Sequence, residues 1–496
     1  MADIIKTLEY QDNISNDIVL SSDQKYAYDK FISGENLFIT GPGGTGKTKL
    51  IQQFVKHLKE RNKSYQVCAM TGCASILLNC NARTIHSWSG IKIARGEKED
   101  VISSVVRNRN YSRTWKKTSV LILDEVSMLS KKIFEILEEI ARHTKYSIKP
   151  FGGMQIIFCG DFCQLPPVGN NNEIDTHKFC FQSPLWEEVF PLNNCIELKK
   201  IFRQTDMTYI KILNNIRKGI IYKKDVARLN ERVNLPFDIE KHNGCIPTKL
   251  FPLRSKADYI NKIMYSKLED EDISIKYIVN TKNSTYIENN KTIPIDIITK
   301  CNKLSKDEIE NEINYLLSNS PCIYEIHLKI GAAVMCTVNL DMENAICNGS
   351  QGVIIDIIKK NNANIPVVRF ANGIIKHIHP HFWQSEDFPT ISIGQFPLCL
   401  AWALTIHKIQ GATLQFAEID IGKDVFEYGQ TYVALSRVQS LNGLYLSSFE
   451  PTKIQTNPIV NNYYKRISEA NLQRKKSEQS NLEKEEQNNQ IKRVYI

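Results

Sequence analysis

The stretch "NLFITGPGGTGKTKL", residues 36–50, reads as a short apolar run, Leu37–Thr40, then a glycine-rich loop, then the opening of a helix. The loop Gly41-Pro42-Gly43-Gly44-Thr45-Gly46-Lys47-Thr48 fits the pattern GxxxxGK[ST]. Each element of that pattern has a chemical reason. Glycines let successive backbone N–H groups turn inward around a phosphate, and the helix that follows aims its positive end at the same place. Leu50, Ile51, Phe54, Val55 and Leu58 recur on one face of that helix and seat it on a core. Lys47 is placed to neutralise the β and γ oxygens and the Thr48 hydroxyl to ligate a metal, so ATP and magnesium are the expected ligands.

From residue 36 to residue 196, four apolar runs alternate with longer helical patterns: Leu37–Thr40, Val67–Thr71, Val120–Leu123 and Ile156–Cys159. Continuous apolar strands are covered on both faces, which predicts a doubly wound parallel α/β domain with its ligand at the carboxyl ends of the strands. "SVLILDEVSML" ends one run in Asp124-Glu125. Asp124 is assigned to the metal and Glu125 to the attacking water. "MQIIFCGDFCQLPPV" sets Gln164 just past another strand end, where its amide reaches both the γ-phosphate region and that water.

A second series begins near residue 197, with "TKLFPLR", "AAVMCTV", "FAEIDI" and "LYLSS" as strand-like runs. Between residues 340 and 395, short strands, Asn-Gly turns and prolines predict a small β-rich insertion. "SKDEIENEINYLLSN" opens with a capping-box pattern, Ser305 to Glu308, and predicts a helix; the rest of residues 270–320, rich in Asn, Ile and Lys, fits no assignment. The expected division is therefore 1–195, 196–460, and a polar tail over 461–496 that is a solvated helix or disordered.

At 496 residues the chain exceeds a single core, given roughly 100 to 200 residues per domain. Apolar content of 42% and charged content of 24% exclude a disordered or fibrous protein. The formal charge of +9, from 63 basic and 54 acidic side chains, leans toward a polyanionic partner. Much of it gathers in one segment: Lys92, Arg95, Lys98, Arg107, Arg109, Arg113, Lys116 and Lys117 stand against three acids. Thirteen cysteines without a CxxC pair suit a reducing compartment. Asp3, Glu9, Asp12 and Asp17 argue against a leader peptide, and "FPLCLAWAL" is far short of the roughly 20 residues of a membrane span, so an intracellular protein in solution is expected.

In order along the chain stand "GPGGTGKT", "MTGCASILL", "TIHSWSGI", "LILDEVSML", "GDFCQLPPV", "IFRQTD", "NGSQGV", "AWALTIHKIQGATL" and "YVALSRV". Together they resemble the Pif-type DNA helicases, in the 5′-to-3′ branch of superfamily 1 that also contains the RecD-like enzymes. The likeness runs from about Leu20 to Leu446. It implies two RecA-like domains with ATP between them, a wedge element near residues 91–117, and an SH3-like character for the insertion. Gln24 in "LSSDQKYAY" would read adenine, Arg203 and Arg437 would be arginine fingers from the second domain, and Gln410 and Gly411 would join the nucleotide site.

By the same resemblance, Thr71, His86, Ser87 and Trp88 in the first domain, and Asn348, His407 and Lys408 in the second, line a channel for single-stranded DNA. His86 and Trp88 suit ordinary core packing as well. The implied activity is ATP-dependent 5′-to-3′ unwinding in replication, repair or recombination, by a monomer acting on single-stranded DNA and tailed or forked duplexes, with single-strand-binding or replication proteins as further partners. Three other readings stay open: a regulatory ATPase, a RecD-like subunit of a larger recombination complex, and RNA as the track.

Overall fold

The computed structural model describes residues 20–474, apart from 79, 81, 93, 171–172, 241–244, 282–285, 288–290, 293–297, 300, 321, 342, 345, 361–362 and 386–387. The acidic N-terminal stretch and the tail beyond 474 lie outside the described residues.

Six strands form the first sheet: β1 (Leu37–Thr40), β2 (Tyr65–Ala69), β3 (Arg83–Thr84), β4 (Val120–Asp124), β5 (Gln155–Gly160) and β6 (Cys195–Glu197). Their order is β3-β2-β4-β5-β1-β6, every pairing parallel. All four expected runs hold strands, although Val67–Thr71 is extended only as far as Ala69. The short β3 and β6 carry too few residues to show a pattern, and β6 crosses the expected boundary at 195, so the first sheet extends through Glu197.

Alternation along the strands builds two cores. Phe38, Leu121, Leu123 and Phe158 point to one face, with Phe134, Trp186 and Phe190 packed beneath them. Leu37, Ile39, Val120, Ile122 and Ile157 point to the other, against Leu50, Phe54 and Leu58 of the helix that follows the glycine loop. Each fully buried large side chain stabilises by about 1.5–3 kcal/mol relative to exposure. That double anchoring makes the carboxyl edge of the sheet a rigid platform.

The second sheet is also parallel, in the order Ala403–Thr405, Thr248–Phe251, Ala417–Ile421, Leu444–Phe449. "AAVMCTV" is not part of it. Ala333–Cys336 instead pairs antiparallel with Gln351–Lys360 and Leu398–Leu400, and the parallel edge strand comes from "AWALTIHK".

The insertion is wider than the expected 340–395. Ile273–Lys276 pairs antiparallel with Glu325–Leu328, and Ile278–Asn280 joins Ser392–Gln395 and His381–Gln384, so antiparallel pairing runs from 273 to 400. Partners more than a hundred residues apart leave no local mark in the sequence. The helix Lys306–Asn319 does form with its capping box, Glu308 N–H donating to Ser305 Oγ at 3.2 Å and Ser305 N–H to Glu308 Oε2 at 2.9 Å.

The tail needs correction too. Residues 458–474 are helical, and Val460, Tyr463, Tyr464 and Ile467 are buried, the two tyrosines against the first domain. Their spacing of three and four is that of one helical face, which the polar composition around it masks. Tyr463 stacks on Phe181 with centroids 4.4 Å apart and planes 5° apart, and its hydroxyl accepts from Trp186 Nε1 at 2.7 Å. Tyr463→Ala should therefore lower the unfolding free energy by about 3–5 kcal/mol, read by urea denaturation. A solvated tail would predict a change within about 0.5 kcal/mol.

Candidate nucleotide site and nucleic-acid channel

Strand β1 ends at Thr40 and the chain turns through the glycine loop into the helix Lys47–Glu60. Gly44 has φ +84°, and a Cβ there would lie 2.5 Å from Arg203 Cβ, so only glycine fits. The Lys47 ammonium donates to the carbonyls of Gly41 at 2.7 Å and Pro42 at 3.1 Å. Burial pulls its pKa down, against the opposing charges of Asp161, Glu125 and Asp124. Thr45 Oγ1 closes the loop by donating to the Pro42 carbonyl at 2.9 Å.

Gln24, expected at adenine, is committed at both ends. Its Oε1 accepts from Ser21 N–H at 2.9 Å in a capping box, and its Nε2 donates to the Thr45 carbonyl at 3.2 Å. It braces the loop. Phe202, 49% exposed, lies beside Gly46 on the same side.

Asp124 ends β4 and is buried, and its Oδ1 accepts from Glu125 N–H at 2.9 Å. Burial first, and then the Glu125 charge, push the Asp124 carboxyl up to about 7. Glu125 sits at φ +56°, a left-handed conformation that costs a non-glycine residue of order 1–3 kcal/mol and that clusters at functional sites. Its Oε2 accepts from Gln410 Nε2 of the second domain at 3.2 Å. Gln164 is buried, and its Oε1 has no partner among the described residues. Asp124, Glu125, Gln164, Thr48, Gly411 and both arginines line one cavity of about 200 Å³ with the glycine loop. A buried carboxylate, a hydroxyl and an orphaned amide oxygen form a set of hard oxygen donors, which suits a magnesium ion that keeps phosphate and water ligands.

Arg203 and Arg437 meet over that cavity. Arg203 Nη1 donates to the Ser436 carbonyl at 3.1 Å, while Arg437 donates through Nε to the Val433 carbonyl at 3.0 Å and through Nη2 to Ser436 Oγ at 2.9 Å. Arg203 was expected from the second domain, but Leu198 N–H on the Thr40 carbonyl and Phe202 N–H on the Gly44 carbonyl, both 2.8 Å, lay its segment along the glycine loop of the first. Only Arg437 is delivered by the second domain.

Beside this cleft is a larger cavity of about 700 Å³, lined by Thr71, His407, Lys408 and Gln410, and also by Arg254, Asn261 and His327, which the sequence did not single out. Burial lowers the pKa of His407 and of half-buried His86. Ser87 Oγ accepts from the Tyr315 hydroxyl of the helix Lys306–Asn319. Asn348 lies on a turn of the insertion, with its N–H on Asn339 Oδ1 at 3.1 Å, apart from the residues that line this cavity.

Trp88 is not available to a base. It is 1% exposed and packs on Trp115 with centroids 4.5 Å apart. The short helix Ile85–Ser89 turns its apolar side inward and leaves His86 and Ser87 outside. Of the basic segment, Lys98 pairs with Glu135 and Asp175, whereas Arg107, Arg109, Arg113, Lys116 and Lys117 are exposed. Two buried groups lack any local signal: Arg217, which chelates Asp161, and Tyr432, which touches Gly43.

A phosphate-cradling loop, a buried acidic pair and two converging guanidiniums between parallel α/β sheets define a P-loop NTPase with two RecA-like domains. A family model described as PIF1-like helicase matches residues 19–227, and one described as DNA helicase Pif1, 2B domain matches residues 313–357. The chain is 34% identical over 455 residues to the ATP-dependent DNA helicase PIF1 of Danio rerio, covering 91% of itself and 65% of that protein. It is 31% identical over 456 residues to the ATP-dependent DNA helicase Pif1 of Bdellovibrio bacteriovorus, covering 91% and 93%. The crystal structure of Pif1 helicase from Candida albicans superposes with TM-score 0.69 at 31% identity, covering 91% and 100%. That of Pif1 helicase from Bacteroides with ADP-AlF3 and ssDNA superposes with TM-score 0.59 at 25% identity, covering 92% and 98%. The chain belongs to the PIF1-like helicase family, and it spans about two thirds of the length of the fish relative.

The raised Asp124 pKa sets a pH dependence. Asp124 is the expected magnesium ligand; there a proton and the divalent ion would compete for the carboxylate, and with the pKa about 7 the competition would fall near neutrality. The magnesium concentration for half-maximal ATP turnover should rise roughly tenfold from pH 8 to pH 6. A flat requirement over that range would remove Asp124 from the metal.

Proposed function

We propose that the chain is an ATP-dependent DNA helicase that moves 5′ to 3′ on single-stranded DNA and separates duplex ahead of it, acting in replication, repair or recombination. One observation carries the reading: Gln410 lines the large cavity and also donates to Glu125 in the nucleotide cleft at 3.2 Å. A regulatory ATPase indifferent to nucleic acid has no use for a residue that touches both. The named activity of the Danio and Bdellovibrio relatives supports the same reading, and the Bacteroides complex with nucleotide and ssDNA agrees with two adjacent sites.

In this mechanism Lys47 and the loop N–H groups hold the β and γ phosphates. Thr48 and Asp124 would hold magnesium, which supplies charge neutralisation when bound. Glu125 takes the proton of the attacking water, Gln164 orients that water, and Arg203 and Arg437 stabilise the charge that develops on the γ-phosphoryl group. Such arginines contribute about 10³ to 10⁵ in rate in related transfers. Arg437 rides on the second domain, so ATP closes the cleft, and hydrolysis releases it. Thr71, His86 and Ser87 on one side and His407 and Lys408 on the other grip the strand in alternation, and the basic surface from Arg107 to Lys117 receives the duplex with salt-dependent affinity.

Lys47→Ala should abolish ATP turnover while single-stranded DNA binding persists, and Glu125→Gln should bind ATP and stall. The deciding assay is ATP-dependent strand separation on duplexes with only a 5′ or only a 3′ single-stranded tail, with Lys47→Ala as the blank. Separation confined to the 5′-tailed duplex is expected. Turnover indifferent to DNA, with neither duplex separated, would return the protein to the regulatory class.

A further inference from the structure

Tyr432 belongs to the short second-domain helix Gln430–Leu435, yet both partners of its hydroxyl lie in the first domain. The oxygen accepts from Gly43 N–H at 2.9 Å and donates to Asp161 Oδ2 at 3.3 Å. Burial first, and then the Asp161 carboxylate, raise the phenol's pKa, so the proton stays on the oxygen to be donated.

Each partner sits at a decisive place. Gly43 is the loop residue on which the two guanidiniums converge: a Cβ there would lie 3.5 Å from Arg203 Nη1 and 3.6 Å from Arg437 Nη2. Asp161 roots the turn that carries Gln164, for its Oδ1 accepts from Cys163 N–H at 3.2 Å and its carbonyl accepts from Gln164 N–H at 2.9 Å. Asp161 is also firmly held from elsewhere. Arg217 donates to it through Nε and Nη2, each at 2.9 Å, and Tyr464 of the C-terminal helix donates to Oδ1 at 3.1 Å.

A second contact joins the same two parts. Gly429, with φ +74°, stands just before the helix, and a Cβ there would lie 2.4 Å from the Cys163 carbonyl oxygen and 2.7 Å from that of Gln164. The helix start therefore rests directly on the Gln164 backbone. Arg437 Nε is bonded to the Val433 carbonyl, one residue beyond Tyr432. One short element thus delivers Gly429, Tyr432 and Arg437 together.

We propose that Tyr432 is a positioning residue for ATP hydrolysis: its hydroxyl holds the Gly43 peptide and the Asp161-rooted Gln164 turn in register with Arg437 while the cleft is closed. The proposal rests on the helicase reading for its setting and extends it by naming the element through which the second domain sets Gln164. Removing the oxygen leaves the ring in place and leaves Asp161 its bonds to Arg217 and Tyr464. The loss should fall on turnover and spare folding.

The test uses the full chain as Tyr432→Phe, with kcat and KM for ATP measured without DNA and with saturating oligo-dT. Tyr209→Phe is the control, because the Tyr209 hydroxyl donates to the Leu435 carbonyl at 2.7 Å at the other end of the same helix, and neither residue lines the nucleotide cavity. Expected for Tyr432→Phe is a fall in kcat of about tenfold with KM moved less than about threefold, at an unchanged melting temperature. Gly429→Ala should lower kcat as well, by pushing on the Cys163 and Gln164 carbonyls, with a fall in melting temperature that the +74° φ adds. Wild-type kcat in Tyr432→Phe, or equal losses of kcat and melting temperature in Tyr432→Phe and Tyr209→Phe, would overturn the assignment. Wild-type turnover that ignores DNA would instead sink the helicase reading, and the DNA-free kcat of Tyr432→Phe would then decide the hydroxyl's role on the same criterion.

Discussion

Two guanidiniums side by side, Arg437 fully buried and Arg203 half-buried, set the terms for the whole molecule. Arg203 and Arg437 are bonded only to neutral acceptors around Val433 and Ser436, and among the described residues neither forms a salt bridge. Burial lowers both pKa values, and for Arg203 the Arg437 charge adds to the effect. Such a pair is costly in a low-dielectric interior unless an anion lies between its members and the ammonium of Lys47. The cleft is therefore built around a charge that the chain itself does not supply, and a triphosphate has the charge and the shape to supply it.

Holding that frustrated cluster in place requires satisfied charges just behind it. Asp161 is fully buried, and burial alone would raise its pKa, but the Arg217 guanidinium outweighs that and keeps it below the ordinary carboxylate value. Arg217 in turn reaches Glu197 at the end of β6 at 3.1 Å. Tyr464 bonds Thr40 at the end of β1 at 2.6 Å, Phe162 N–H at 3.0 Å and Asp161 at 3.1 Å. The C-terminal helix thereby clamps the two strand ends that carry the glycine loop and Gln164, which explains why a segment so polar in composition keeps two buried tyrosines.

The legible parts of the site are those in which function and local structure share one short window. Gly41 to Thr48, Asp124-Glu125 and Gln164 each follow an apolar run that must be a buried strand, so their place at the carboxyl edge follows from alternation and burial alone. Arg437, Gln410 and the channel residues are recognisable only through the resemblance, because their partners lie hundreds of residues away. Arg203 was misplaced for a related reason: the hydrogen bonds of its neighbours to Thr40 and Gly44 are invisible in "IFRQTD". Trp88 was ambiguous because a five-residue helix shows no full period, and Trp115, which claims its face, sits beyond an intervening helix. The insertion closes through strands such as Ile278–Asn280 and Ser392–Gln395, a separation that only a long loop closure can bridge and no periodicity reports.

The same electrostatics explains how a local event can drive a domain movement. A ligand shifts an equilibrium only by its differential affinity for the two states. A closed cleft brings Arg437 beside Arg203, a repulsive arrangement that becomes favourable when a γ-phosphate lies against both. In the proposed motor, hydrolysis would detach that phosphate from the nucleotide and its release would restore the repulsion, so the closed state would lose its advantage when the phosphate leaves. Gln410 would carry the change outward in that motor, since the residue bonded to Glu125 also lines the cavity of Thr71, His407 and Lys408. Separating the domains breaks the Glu125 contact and moves one wall of that cavity relative to the other. In the proposed motor, then, nucleotide charge and strand grip are coupled by rigid-body geometry rather than by a long relay, and the distance to be bridged is one glutamine side chain.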